Sequence, residues 1–143
     1  MHIATIGAVR AQDDFVTPVQ SVLVVDDDFA VRDTFKRMLT LEGFAVRTAA
    51  DAQGGLAQAI AHRVDAIVLD LRMPLVDGLG FLHQLREHAT SREIPVAIVT
   101  GDYLIDDATI ETAQALGAVV KFKPVWLDDL LDIVRQLVQP VAA

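Results

Sequence analysis

A chain of 143 residues, 52% hydrophobic and 6% aromatic, is long enough for one domain with a substantial core. A net charge of −8 argues against non-specific nucleic-acid binding, and the absence of cysteine excludes disulfides, thiolate metal sites and thiol catalysis. No apolar run reaches the roughly 18 residues that span a bilayer, and residues 1–20 carry no basic region ahead of their short apolar run, so no membrane anchor or secretory signal is predicted and a cytoplasmic location is expected.

Residues 1–20 mix small, polar and apolar types without a period and are predicted to be a flexible extension of the domain at 21–140. Residues 21–25 (Ser-Val-Leu-Val-Val) form a fully buried strand pattern that runs into Asp26-Asp27-Asp28. Three adjacent carboxylates have two readings, a solvated turn whose last member caps the next helix or a cation site at a strand end. Val31, Phe35, Met38 and Leu39 lie at helical spacing in a helix that ends near Glu42-Gly43. A short strand follows at 44–48, then a helix at 52–62 capped by Asp51 and weakened by Gly54 and Gly55.

Residues 64–69 (Val-Asp-Ala-Ile-Val-Leu) are short, apolar and β-branched, as in a strand buried on both faces, and they end on Asp70. Pro74 interrupts the continuation, and Asp77-Gly78 offers an N-cap for a helix at 77–88. A fourth strand at 94–99 ends on Thr100-Gly101-Asp102. A weakly amphipathic helix at 106–116, expected to be mobile, stops at Gly117. The fifth strand, 118–122, ends on Lys123-Pro124. Leu127, Leu130, Leu131, Val134, Leu137 and Val138 make the clearest helical stripe, closed by Pro140. Five β-α units in strict alternation predict an α/β domain, a doubly wound five-stranded parallel sheet with five helices on its two faces.

In a parallel sheet all strand carboxyl ends lie on one edge, where ligands of open α/β folds bind. Asp26 and Asp27, Asp70, Thr100 and Lys123 therefore converge. Clustered carboxylates suit a hard cation such as Mg2+; an ammonium and a hydroxyl suit the oxygens of an incoming phosphoryl group; and phosphoryl transfer asks mainly for positioning and charge neutralisation. Taken singly each residue has a plainer use: Asp70 as a cap, Thr100 as a strand residue, Lys123 as a solvated lysine, Arg72 and Asp102 as surface charges. His2, His62, His83 and His88 have no ligand spacing with the acids and are read as surface residues.

Val24-Val25-Asp26-Asp27-Asp28, the run from Asp70 through Met73-Pro74 to Asp77-Gly78, Val99-Thr100-Gly101 and Lys123-Pro124 together resemble the four signatures of the receiver domains of two-component response regulators, over about residues 21–138. The resemblance implies a flavodoxin-like sheet of strand order 2-1-3-4-5 and a cis Lys123–Pro124 bond. It implies Asp70 as phosphoacceptor, taking its phosphoryl group from a phosphohistidine of a histidine kinase or histidine phosphotransfer protein. Mg2+ would be bound by Asp26 (mainly through water), Asp27, Asp70 and the Arg72 backbone carbonyl, while Thr100 and Lys123 would contact the phosphoryl oxygens. Arg72 and Asp102, two places after Asp70 and Thr100, would flank the path of a hydrolytic water and can pair across it.

Signalling is then expected through altered protein–protein contacts with an unknown downstream protein, without direct nucleic-acid or membrane binding and without turnover of a separate substrate. With the chain ending at Ala143, a stand-alone receiver is expected, working by protein–protein contact or as a phosphorelay shuttle. Two departures concern output: Val120 stands where the family often has Tyr or Phe, and the stretch 117–123 is one residue short, with Lys121 where an apolar residue is common. An aspartate-nucleophile phosphatase is the alternative from another class. Such enzymes carry a second Asp two residues after the nucleophile, where this chain has Arg72. A docking module that is never phosphorylated is a third reading, opposed by the presence of all five site residues.

Overall fold

The structure, a computed structural model, describes residues 18–73, 75–102 and 104–139. The flexible extension expected at 1–20 lies mostly outside the described residues. Five strands, β1 (Ser21–Val25), β2 (Ala45–Ala49), β3 (Ala66–Leu69), β4 (Val96–Thr100) and β5 (Ala118–Phe122), alternate with α1 (Phe29–Leu41), α2 (Ala52–Ala61), α3 (Gly78–Glu87), α4 (Asp107–Ala115) and α5 (Leu127–Val138). The sheet is parallel throughout, in the order β2-β1-β3-β4-β5.

The apolar runs fill the centre of the sheet, as expected of strands covered on both faces. Because side chains alternate along a strand, β1 sends Leu23 and Val25 into one core with Ile67, Leu69, Phe81, Leu82, Leu85 and Ile98. It sends Val22 and Val24 into the other, with Phe35, Leu39, Val68, Val99, Leu130 and Val134. Thus α2, α3 and α4 cover one face and α1 and α5 the other. The edge strands β2 and β5 are the more exposed ones, which explains their mixed composition.

Four helices start on an aspartate side chain that accepts a backbone N–H. Asp28 takes Ala30 N at 2.8 Å, Asp51 takes Gly54 N at 2.7 Å, Asp77 takes Gly80 N at 2.9 Å and Asp106 takes Thr109 N at 2.8 Å. Each bond satisfies a donor that the first helical turn leaves unpaired, and each cap sits at the strand-end edge, where it fixes the loop that carries the functional groups. Asp28 thereby follows the first reading of the acidic triplet, as a cap.

Three strands differ in their bounds from expectation. The second spans Ala45–Ala49 rather than 44–48, the third begins at Ala66 rather than Val64, and the fourth spans Val96–Thr100 rather than 94–99. Pro95, which has no N–H to give to a ladder, precedes the last of these. The weak stripe of α4 has its counterpart in packing, with Ala113 its buried residue. Lys123–Pro124 is cis. Among the described residues no helix is long and apolar enough to cross a membrane.

Candidate functional site

The three central strands deliver their terminal residues to one spot because their registers are aligned. Val25 lies beside Leu69, and the Asp70 amide extends the ladder with a 2.9 Å bond to the Val25 carbonyl. Asp26 is anchored in the same way, through its amide to the Ala49 carbonyl at 3.1 Å. Carboxylate oxygens of Asp26, Asp27 and Asp70 all lie within 4.8 Å of one another. Asp26 and Asp70 are buried, 3% and 7% exposed, whereas Asp27 stands in the open.

Among the described residues, one cation reaches this group. Lys123 Nζ donates to Asp26 Oδ2 at 3.2 Å and lies 3.8 Å from Asp70 Oδ1. The other Asp26 oxygen accepts Asp28 N at 2.9 Å. Thr100, wholly buried, accepts the Asp102 amide on its Oγ1 at 3.1 Å, and the Thr100 carbonyl accepts Lys123 N at 2.8 Å. Asp26, Asp27, Asp70, Thr100 and Lys123 thus occupy the one edge that the sequence assigns to them.

The rim adds two features. Arg72 and Asp102, read first as surface charges, form an ion pair across the mouth, with Arg72 Nε donating to Asp102 Oδ2 at 2.7 Å. That bond, followed by the Leu104 amide, holds the Asp102 carboxyl below its ordinary pKa. A cleft of about 740 Å³ opens beside Asp27, lined by Met73, Leu75, Val76, Asp77 and Gly80 together with Arg72. Leu75 sits on this loop with φ of 68°, a left-handed conformation that costs a non-glycine residue roughly 1–2 kcal/mol and is typical of constrained functional loops.

A family model for the response regulator receiver domain matches residues 22–135. The chain belongs to the response regulator receiver family. It is 36% identical over 121 residues to response regulator MprA of Mycolicibacterium vanbaalenii, covering 82% of this chain and 50% of that protein. It is 37% identical over 118 residues to transcriptional regulatory protein PrrA of Mycobacterium tuberculosis, covering 82% and 49%. The receiver chain therefore spans about half the length of the curated relatives it matches.

Among solved structures, chemotaxis protein CheY4 of Vibrio cholerae superposes with a TM-score of 0.77 at 28% identity, covering 83% of this chain and 98% of that one. The CheX–CheY–BeF3–Mg2+ complex of Borrelia burgdorferi gives 0.75 at 25%, covering 85% and 90%. The strand order 2-1-3-4-5 that the resemblance implied is the order of this sheet.

In this receiver domain the donor set suits a hard divalent cation. All three side chains are carboxylates, the oxygen ligands that Mg2+ prefers, and one ammonium offsets three of them. Without such a cation, burial pushes the Asp70 carboxyl up, the Asp26 charge adds to this, Lys123 and the Arg72 amide pull it back, and Asp27 raises it again; the result is about 6.

Sequence reasoning missed Gly78 as a site residue. Its Asp-Gly pair reads as a cap, yet a Cβ there would lie 2.5 Å from the Asp70 carbonyl oxygen and 2.8 Å from Leu71 Cα. Only glycine lets α3 start hard against the Asp70 loop, where Gly78 N bonds the Leu71 carbonyl at 2.8 Å. Gly101 is less constrained: a Cβ there meets only Lys123 Cδ, at 3.9 Å. The exposed positions of His62, His83 and His88 agree with their reading as surface residues, and His2 lies outside the described residues.

The raised Asp70 pKa has a consequence for stability. The folded chain holds this proton more tightly than the unfolded one, so without divalent cations stability falls as pH rises from about 3.8, the ordinary value, to about 6, and the full penalty persists above that. Asp70→Asn removes the penalty. Its unfolding free energy should exceed wild type by about 2–3 kcal/mol at pH 7, with the difference vanishing below pH 4; urea denaturation in EDTA across this range is the measurement.

Proposed function

We propose that Asp70 is the phosphoacceptor of this receiver. A phosphorylated histidine on a histidine kinase or histidine phosphotransfer protein donates the group. An Asp70 carboxylate oxygen attacks phosphorus, the P–N bond breaks as the P–O bond forms, and the imidazole leaves as a neutral base after protonation. The observation that carries this reading is the convergence of three carboxylates and the Lys123 ammonium around a recessed Asp70. Asp26, Asp27 and Asp70, with the backbone carbonyl of Arg72, would hold Mg2+. When bound, that ion supplies charge neutralisation for the acidic edge and for the phosphoryl oxygens.

The protein's own groups do the rest. Lys123, tethered by Asp26, is aimed at the Asp70 oxygen and provides a donor for one phosphoryl oxygen. Thr100 Oγ1 accepts the Asp102 amide, and its hydroxyl proton is free to turn towards another. The short bond from the Asp70 amide to β1 keeps the carboxylate in place, so little reorganisation accompanies attack.

Turnover of a separate phosphoester is disfavoured, because the place two residues after Asp70, where such enzymes use a carboxyl as acid and base, holds a guanidinium that is tied to Asp102 and does not exchange its charge by proton transfer. The net charge of −8 favours a protein over a nucleic acid as the partner of this domain. The signal is read as a change in protein contacts. Val120, half-buried and packed on the α2–α4 side of the core, occupies the place where the family often has an aromatic ring.

Incubation with acetyl phosphate and Mg2+ should add the mass of one phosphoryl group to the wild type and none to Asp70→Asn; labelling of the variant at the wild-type rate would refute the assignment. The Arg72–Asp102 pair should slow loss of that group by ordering the mouth through which water enters. A barrier change of 1.4 kcal/mol is tenfold in rate, so Arg72→Asn and Asp102→Ala should each hasten dephosphorylation roughly three- to tenfold, and the double variant should add little. Wild-type rates in both single variants would remove the pair from the kinetics, without bearing on Asp70 itself.

A further inference from the structure

Arg32, on the first turns of α1, uses its guanidinium in an unexpected way. Asp26, Asp27, Asp28 and Asp33 are close in sequence, yet among the described residues no carboxylate lies within ion-pair distance of it. Instead Arg32 Nη1 donates to the backbone carbonyl of Asp26 at 2.7 Å, and its guanidinium carbon lies 5.4 Å from the centroid of the exposed Phe29 ring. We propose that Arg32 is a positioning residue for the acidic edge: it holds the Asp26–Asp27 peptide so that the Asp27 carboxylate is presented to the divalent cation.

Asp26 is held at every polar group, by Ala49 at its amide, by Asp28 N and Lys123 Nζ at its carboxylate, and by Arg32 at its carbonyl. Asp27 is the opposite case. Among the described residues its side chain makes no hydrogen bond or ion pair, although its oxygen stands within 4.8 Å of those of Asp26 and Asp70. Its direction is therefore set by the backbone on either side. A peptide unit is planar, so fixing the Asp26 carbonyl fixes the following amide and the Cα from which the Asp27 side chain leaves. Asp28, capping α1, fixes the other side.

The choice of a carbonyl acceptor matters as much as the bond. A guanidinium paired with the Asp27 carboxylate would compete with a cation for its oxygens. Bonded to the carbonyl and packed on Phe29, Arg32 orders the loop and leaves Asp27 free. Groups that orient metal ligands in this manner affect affinity strongly when removed.

The inference rests on the metal-binding reading above, and its test separates the two. Mg2+ titrations of the full chain by calorimetry should give Arg32→Met a Kd raised roughly tenfold, while labelling by acetyl phosphate at saturating Mg2+ keeps the wild-type rate. Arg32→Lys, which retains a donor, should recover part of the affinity, and Phe29→Ala, at an exposed position, should show a smaller rise. Asp27→Asn should lose most of the binding. A wild-type Kd in Arg32→Met, with binding lost in Asp27→Asn, overturns the role of Arg32 and leaves the metal site standing. A wild-type Kd in Asp27→Asn overturns the metal reading and this inference with it. Should Arg32→Met fail to fold, Phe29→Ala decides: a raised Kd supports the proposal and a wild-type Kd overturns it.

Discussion

The repulsion among Asp26, Asp27 and Asp70 is the constraint on which the site depends. The parallel sheet places two of these carboxylates at adjoining strand ends, buries them, and gives them Lys123 as their cation. Desolvation and like charge both disfavour the ionised state, and they account for the raised pKa of Asp70. A protein built only for stability would not keep such a cluster. Here the unfavourable electrostatics amount to an affinity for positive charge, held in readiness by strands that cannot move apart without opening the core.

The surroundings of the cluster follow from the same constraint. Carboxylates that repel one another must be fixed by other bonds, and the backbone supplies them: the Asp70 amide on β1, the Asp26 amide on β2, and Asp28 as a helix cap. Gly78 lets α3 begin against the Asp70 peptide. Lys123, at the end of the edge strand β5, is brought in by the hydrogen bond that its backbone N–H donates to the Thr100 carbonyl. The site is thus tied by hydrogen bonds where charge is concentrated and open beside Asp27, where the chain leaves room for ligand.

Much of this was legible in the sequence because it depends on order along the chain. Alternating apolar runs and helical stripes give the five β-α units, and a parallel sheet then forces Asp26, Asp70, Thr100 and Lys123 onto one edge. The caps at Asp28, Asp51 and Asp77 were legible for a similar reason, since capping is local. What escaped was set by distance in space. The bond from Arg32 to the Asp26 carbonyl looks, in sequence, like any polar residue on an amphipathic helix. The close approach of Gly78 to the Asp70 carbonyl looks like a turn. Arg86, whose guanidinium binds the carbonyls of Leu116, Arg92 and Ile94 at the opposite edge of the sheet, gave no signal at all. The starts of β2, β3 and β4 shifted by one or two residues because ladder pairing with the neighbouring strands, rather than local composition, decides where a strand begins.

The most direct test of the electrostatic argument is the pKa of Asp70 itself, followed by carboxyl carbon NMR in the metal-free protein and again with saturating Mg2+. A titration near 6 without the ion, moving well below that value with it, is the expected result. A titration near 3.8 in both conditions would show that the edge stores no repulsion for a cation to relieve, and would contradict the reading of this cluster as a metal-dependent phosphoacceptor site.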